Sequence, residues 1–291
     1  MRVLITGAGG QLGLDLVRCC EIAGDEVLPA THAQLDVGDR DAVHAHVSMV
    51  RPDVVINCAA WTAVDACESD PGKALALNAL AVRWLAESCD RAAARLVQIS
   101  TDYVFDGSLD RPYNEWDITR PESVYGASKL AGEHEALQLG ASATVVRTSW
   151  LCGQHGANMV RTIMRLADQH TELAFVDDQV GHPTFTEDLA QMIRRLAVDR
   201  RSGVHHVTNQ TATSWYGFAR DVVAAMGKSP DMVRPITTAE LQPARPAKRP
   251  ANSVLDNAAL RMSGLAMLRD FHEPLRETVQ ALAAGANIAP A

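Results

Sequence analysis

The chain has 291 residues, 47% hydrophobic and 21% charged, with a formal net charge of −8. That composition is ordinary for a globular protein and excludes wholesale disorder, while the acidic balance opposes a polyanion-binding surface, so no nucleic acid partner is expected. Apolar runs such as Val54 to Trp61 fall far short of the roughly 20 residues of a membrane span, so no membrane association is expected either.

Residues 2–6 read as a strand that follows the first residue directly, without a charged-then-apolar leader, and the expected location is cytoplasmic. Residues 11–23 read as a helix with Leu12, Leu16 and Val17 on one face and Gly24 as its stop. A strand over 26–30, a helix over 39–50 and a buried strand over 53–60 follow. A long helix is predicted over 71–91 and a strand over 96–101. A polar loop over 106–121 leads to a helix over 123–137 and a strand over 144–150. Near-continuous apolar strands alternating with helices predict an α/β protein, a Rossmann-like doubly wound parallel sheet covered on both faces. Beyond residue 150 the alternation loosens: helices over 158–169 and 187–197, strands over 173–176 and 204–207, then a proline-rich loop over 235–250. A loop of that length inside a compact unit points to function. The small residues after about 283 are expected to fray.

The six cysteines, Cys19, Cys20, Cys58, Cys67, Cys89 and Cys152, form no C-x-x-C pair and are expected to be free thiols. His44, His46, His205 and His206 have no carboxylate or cysteine at zinc-ligand spacing, so no metal is expected.

Gly7-Ala-Gly-Gly10-Gln-Leu-Gly13 lies between the first strand and first helix. Small residues are needed there for a tight turn, for approach to a pyrophosphate and for close helix packing. The helix N-terminus then offers free N–H groups to phosphate. The segment 7–13 with Gln11 and Leu12 is therefore the expected cofactor site. Residues 29–31 and His32, at the end of the second strand, lack the acid that grips a ribose 2′-hydroxyl, which favours NADPH with tolerance of NADH.

Tyr125 and Lys129 are four residues apart in a predicted helix and share one face. A tyrosine pKa of about 10 is expected to fall beside an ammonium. The pair then suits proton donation to a carbonyl, with a hydroxyl from Ser100 or Thr101 polarising that oxygen.

The G-x-x-G-x-x-G spacing resembles the short-chain dehydrogenase/reductase family, in its extended, sugar-nucleotide branch. The blocks 99–107, 124–133, 147–150, 178–184 and 249–253 are similar, over nearly the whole chain, to the dTDP-4-dehydrorhamnose reductases of that branch. The resemblance implies an NADPH-dependent reduction of the C4 ketone of a dTDP-linked 4-keto-6-deoxy sugar, dTDP-4-dehydro-L-rhamnose. It implies Thr101, Tyr125 and Lys129 as catalytic residues. Asp36 and Val37 would meet the adenine and Ala59 and Ala60 the adenosine ribose. Substrate contacts are implied for Thr62, Val64 and Asp65 in a loop, for Tyr103, for Trp150 and for Arg249 at the diphosphate. Plain packing of Trp150 and a solvated Arg249 are the alternatives. Asn78 would be structural or part of a water relay. Asp15 and Glu187 fall near positions where some members hold magnesium, but no metal is assigned. The domain expectation is an NAD(P)-binding domain over 1–150 and a smaller C-terminal α/β substrate-binding domain over 151–291. Segments about 159–180 and 203–209 would return to the first sheet. The oligomeric state would be monomer or homodimer.

A dehydratase of this branch would need an Asp-Glu pair after the catalytic threonine, and here Tyr103 follows Asp102. An epimerase-reductase would carry a cysteine in the 101–103 region. A reductase or epimerase on another nucleotide-linked 4-keto sugar and a non-catalytic NADP-binding regulatory subunit remain the alternatives.

Overall fold

Alternation of strictly apolar strands with amphipathic helices builds the first half of the chain, as seen in a computed structural model that describes residues 1–285. The elements run β1 (Arg2–Thr6), α1 (Gln11–Ile22), β2 (Glu26–Ala30), α2 (Arg40–Val50), β3 (Val54–Asn57), α3 (Val64–Ser69), α4 (Pro71–Leu75), α5 (Ala81–Ala92), β4 (Arg95–Thr101), α6 (Val124–Leu137) and β5 (Ala143–Thr148). They continue with β6 (Leu151–Cys152), α7 (Met159–Gln169), β7 (Leu173–Val176), β8 (Val180–Gly181), β9 (Thr184–Phe185), α8 (Thr186–Val198), β10 (Gly203–His206), β11 (Thr213–Ser214), α9 (Trp215–Ala225), β12 (Val233–Ile236), α10 (Ala258–Met262) and α11 (His272–Ala283).

Among the described residues, six strands pair in parallel in the order β10-β5-β4-β3-β1-β2. Side chains alternate across the pleat, so successive residues of one strand feed two cores. Val3 and Ile5 face α1 and α8, meeting Leu12, Leu16, Leu189 and Ile193. Leu4 faces the other way, toward Val43 of α2, Leu85 of α5 and Ala136 of α6. Each fully buried leucine or isoleucine contributes about 1.5–3 kcal/mol over an exposed one. The sheet is the doubly wound parallel sheet that the sequence predicts. Its order reverses at β1, which pairs with both β2 and β3, and ligands of such sheets bind outside the strand ends at that switch point.

The remaining chain forms a second core of α7, α9 and α11 over the parallel pair β7–β12, with Val160, Ile163, Phe218, Val222, Phe271 and Leu275 inside. Segment 203–206 is the edge strand of the large sheet. Segment 159–180 does not return there, contrary to expectation: β7 pairs with β12, a partner 60 residues later that no local pattern announces. The proline-rich loop is also shorter than predicted, because Pro235 lies within β12, on a strand with one partner where a missing N–H is tolerated. The frayed tail expected after about residue 283 lies, beyond Gly285, outside the described residues.

Three boundaries differ for identifiable reasons. The long helix over 71–91 is two helices joined by a π-turn, Ala76–Leu80. Asn78 sits in that turn, where its side chain accepts from Trp61 N at 2.8 Å and donates to Trp61 O at 3.1 Å and to Ser128 Oγ at 3.0 Å. Bonds to two distant segments outweigh the regular helix. The strand over 144–150 stops at Thr148, since Trp150 takes a left-handed φ of 46°. Val64 and Asp65, expected in a loop, open α3. All six cysteines are free. Among the described residues no helix is long and apolar enough to cross a membrane.

Candidate active site

The turn after β1 is built for close approach. Gly7 has φ +66°, and a Cβ on it would lie 2.7 Å from Ala59 N. A Cβ on Gly13 would lie 2.3 Å from Gly7 O, so α1 packs against the turn only because that position is bare. Gly10 caps α1 without a side chain, leaving the first N–H groups of the helix open.

Two cavities share Gly7, Gly10, Cys58 and Ala60. The larger, about 460 Å³, is walled by Asp36, Val37, Ala59 and Ala60, with His32, Gly9 and Leu77. Asp36 Oδ1 accepts from Gly38 N at 2.8 Å, which holds that wall. The smaller, about 230 Å³, is lined by Gln11, Leu12, Gly13, Thr62, Ser100, Tyr125 and Lys129. The bare glycine turn, the uncapped helix end and this elongated, partly apolar space fit a dinucleotide. Cys58 and Leu77 are not expected there from the sequence, whereas His32 belongs to the segment that the sequence places at the cofactor ribose. A residue that follows a strand by one position is the signal that could have found Cys58.

Tyr125 and Lys129 therefore face the crevice lined by the glycines. α6 starts where Ser123 Oγ accepts from Gly126 N at 3.1 Å, one residue past Tyr125, which fixes the tyrosine in the first turn. A Cβ on Gly126 would lie 2.2 Å from Tyr103 O, so the first turn of α6 lies hard against the turn Asp102–Val104 that follows β4. Lys129 is buried, and its Nζ donates to Ile99 O at 2.7 Å. Desolvation brings its ammonium down to about 8, against the upward pull of Glu133 and Cys58, so it stays largely protonated near neutral pH.

Contrary to the expectation from its spacing to Lys129, the Tyr125 pKa lies above its usual value. Burial pushes the phenol up, as does the Asp102 carboxyl whenever it is ionised, while the Thr101 hydroxyl pulls the other way. The Lys129 ammonium is spent on the Ile99 carbonyl and does not set the Tyr125 value. The ring of Tyr103 stands edge-on to Tyr125, with centroids 5.8 Å apart.

Ser100 and Thr101 are separated by their partners. Ser100 Oγ donates to the buried Glu133 at 2.5 Å, which removes it from carbonyl chemistry. Thr101 Oγ1 contacts Asp102 Oδ1 at 2.9 Å and accepts from Tyr103 N at 3.2 Å, beside Tyr125. Behind this pair, Glu133 is held bidentately by Arg147, with Nη2 to Oε2 at 2.7 Å and Nε to Oε1 at 2.9 Å. That buried pair binds α6, β4 and β5 together beneath the site.

The other predicted residues divide. Arg249 and Asp65 satisfy one another, with Nη1 to Oδ1 at 2.6 Å and Nη2 to Oδ2 at 2.8 Å. The guanidinium is thus not solvated, and its hydrogen bond holds the Asp65 carboxyl below the usual range. Val64 lies beside Asp65 in α3. Trp150 stacks on Trp215, centroids 3.6 Å apart and rings 7° from parallel. Its other side abuts Gly181, where a Cβ would come within 2.7 Å of the indole. Trp215 and Gly181 were not identified as site residues, because the pairing spans segments with no local signal.

The chain matches the family described as RmlD substrate binding domain over residues 1–284. It is 44% identical over 288 residues to the dTDP-4-dehydrorhamnose reductase of Streptomyces griseus, covering 97% of this chain and 94% of that one. The crystal structure of a dTDP-4-dehydrorhamnose reductase from Clostridium acetobutylicum superposes with a TM-score of 0.93 at 40% identity, covering 97% of this chain and 100% of that one. The Bacillus anthracis enzyme of the same name, crystallised in complex with NADP, gives 0.91 at 36% identity, covering 95% and 98%.

Proposed function

The chain belongs to the RmlD substrate binding domain family, and from that premise we propose that it is an NADPH-dependent reductase of the C4 ketone of dTDP-4-dehydro-L-rhamnose, yielding dTDP-L-rhamnose. The observation that carries this reading is that Tyr125 and Lys129 line the same cavity as Gly7, Gly10 and Gly13. The reading extends to a cytoplasmic enzyme acting as a monomer or homodimer, with an NAD(P)-binding part over 1–150 and substrate contacts drawn mainly from 151–291.

Residues 7–13 would hold the pyrophosphate, Asp36 and Val37 the adenine side, and Ala59 and Ala60 the adenosine ribose. NADPH, when bound, supplies the hydride for the ketone carbon. Tyr125 holds its proton firmly in the buried site and gives it to the ketone oxygen as that oxygen becomes an alkoxide. Thr101 hydrogen-bonds the same oxygen, and Lys129, protonated and anchored on Ile99 O, lends positive charge and a donor to the nicotinamide ribose. The product alcohol takes one hydride and one proton, and Tyr125 regains its proton from water. Thr62, Val64, Tyr103 and Trp150 would border the sugar. Arg249, kept in place by Asp65, would present its guanidinium to the diphosphate.

The test is a panel of dTDP- and GDP-linked 4-keto sugars, each with NADPH and NADH, followed at the reduced-nicotinamide absorbance. Depletion with the dTDP-4-keto-rhamnose pair is expected. NADPH binding without depletion on any sugar would favour a regulatory subunit.

A further inference from the structure

A threonine hydroxyl has one proton to give and two lone pairs to offer. With Asp102 ionised, the Thr101 proton goes to Asp102 Oδ1 at 2.9 Å. One lone pair takes the Tyr103 amide at 3.2 Å, which leaves a single lone pair free. Counted this way, Thr101 has no proton left for a substrate carbonyl. Asp102 itself is only 2% exposed, and its Oδ2 is buried with no hydrogen-bond partner among the described residues. The Ser253 hydroxyl lies nearby, donates weakly to Val180 O at 3.4 Å and draws the Asp102 carboxyl down from a distance. A buried carboxylate oxygen left unpaired is unfavourable, whereas a carboxylic acid carries a proton that can be donated.

We propose that Asp102 is a positioning residue that works as a carboxylic acid: by donating to Thr101 Oγ1 it turns the Thr101 proton toward the reacting carbonyl. The inference rests on the reductase reading of the site. Asp102 keeps its proton through the cycle, and the proton transferred to the ketone comes from Tyr125, so the hydrogen balance of the reduction is unchanged. Desolvation raises the Asp102 carboxyl to about 6, with the Ser253 and Thr101 hydroxyls and the Asp102 and Tyr103 amides pulling back. The groups facing it are Thr101 on β4, Tyr103 on its own turn, Tyr125 on α6 and Ser253 on the 249–253 segment. Arg249 acts on Tyr103 from beyond. An anionic alkoxide forming nearby opposes ionisation of Asp102 further.

The experiment compares pH profiles of kcat for the wild type and Asp102→Asn, with dTDP-4-dehydro-L-rhamnose and NADPH. The wild type is expected to lose about tenfold in kcat per pH unit above the Asp102 titration. The amide of Asp102→Asn donates to Thr101 at every pH, so this limb should vanish, and Thr101→Ser should retain it. Superimposable wild-type and Asp102→Asn profiles would overturn the proposal. A second readout needs no turnover: the infrared spectrum at about pH 5.5, where exposed carboxyls are ionised, should contain a protonated-carboxyl band missing from Asp102→Asn. Absence of that difference also overturns it. Should the wild type consume no NADPH on any sugar, the reductase reading fails, while the infrared comparison still decides the state of Asp102.

Discussion

Replacing Glu133 with glutamine removes one charge from beneath the active site and leaves the shape intact. Glu133 is 1% exposed and Arg147 5% exposed. Two N–H groups of the guanidinium are committed to the carboxylate, and Ser100 donates to it as well. After Glu133→Gln the Arg147 guanidinium stays buried without a counter-charge, a change that costs about 3–5 kcal/mol. At ~2–4 °C per kcal/mol for a chain of this size, the thermal midpoint followed by circular dichroism should fall by roughly 6–20 °C. Glu133 also supports the Lys129 ammonium, which already titrates at about 8. Without it Lys129 should lose its proton at lower pH, moving the alkaline limb of kcat/KM toward neutrality. A midpoint lowered by no more than 2 °C with an unmoved limb would refute the idea that this pair carries both stability and Lys129 charge.

Three further outcomes follow from the geometry. His206 is fully buried, held near about 3 chiefly by desolvation and then by Arg147, so its folded pKa lies below the unfolded value. Stability is therefore lost as pH falls below about 6.5, and His206→Gln should flatten unfolding free energy against pH by about 1.4 kcal/mol per unit between pH 6 and 4; equal slopes would contradict this. Asp102, which protonates earlier in the folded state, acts in the opposite direction, but equally in both proteins. Gly13→Ala places a Cβ 2.3 Å from Gly7 O, and NADPH affinity measured by fluorescence titration should drop at least ~10-fold, or about 1.4 kcal/mol. Arg249→Lys cannot reproduce the two-point grip on Asp65, so KM for the sugar nucleotide should rise by roughly tenfold with NADPH affinity unchanged.

The sheet was legible in the sequence because buried parallel strands are written as short apolar runs, and β1, β3 and β5 are fully or almost fully buried. The glycine turn was legible for a steric reason, since three bare positions at that spacing suit few other structures. What escaped depends on partners far along the chain. The run 71–91 reads as one helix, and only Trp61 and Ser128 reveal why Asn78 forces a π-turn. Asp65 and Arg249 each read as substrate contacts, and nothing local tells that residues 184 apart pair with one another. β5 ends early where Trp150 turns left-handed, and the ring of Trp150 stacks on Trp215, a partner 65 residues away. The direction of the Tyr125 shift is not legible locally, because helical spacing fixes the nearness of Lys129, while desolvation is a tertiary quantity.

The most direct measurement uses NADPH carrying deuterium at the transferable C4 position, with product analysed by proton NMR. Wild-type protein should deliver the label to C4 of the deoxysugar, whereas Tyr125→Phe should bind NADPH with little change and deliver none. Label at any other carbon, or comparable transfer by Tyr125→Phe, would contradict the assignment of a phenol-assisted ketone reduction at this crevice.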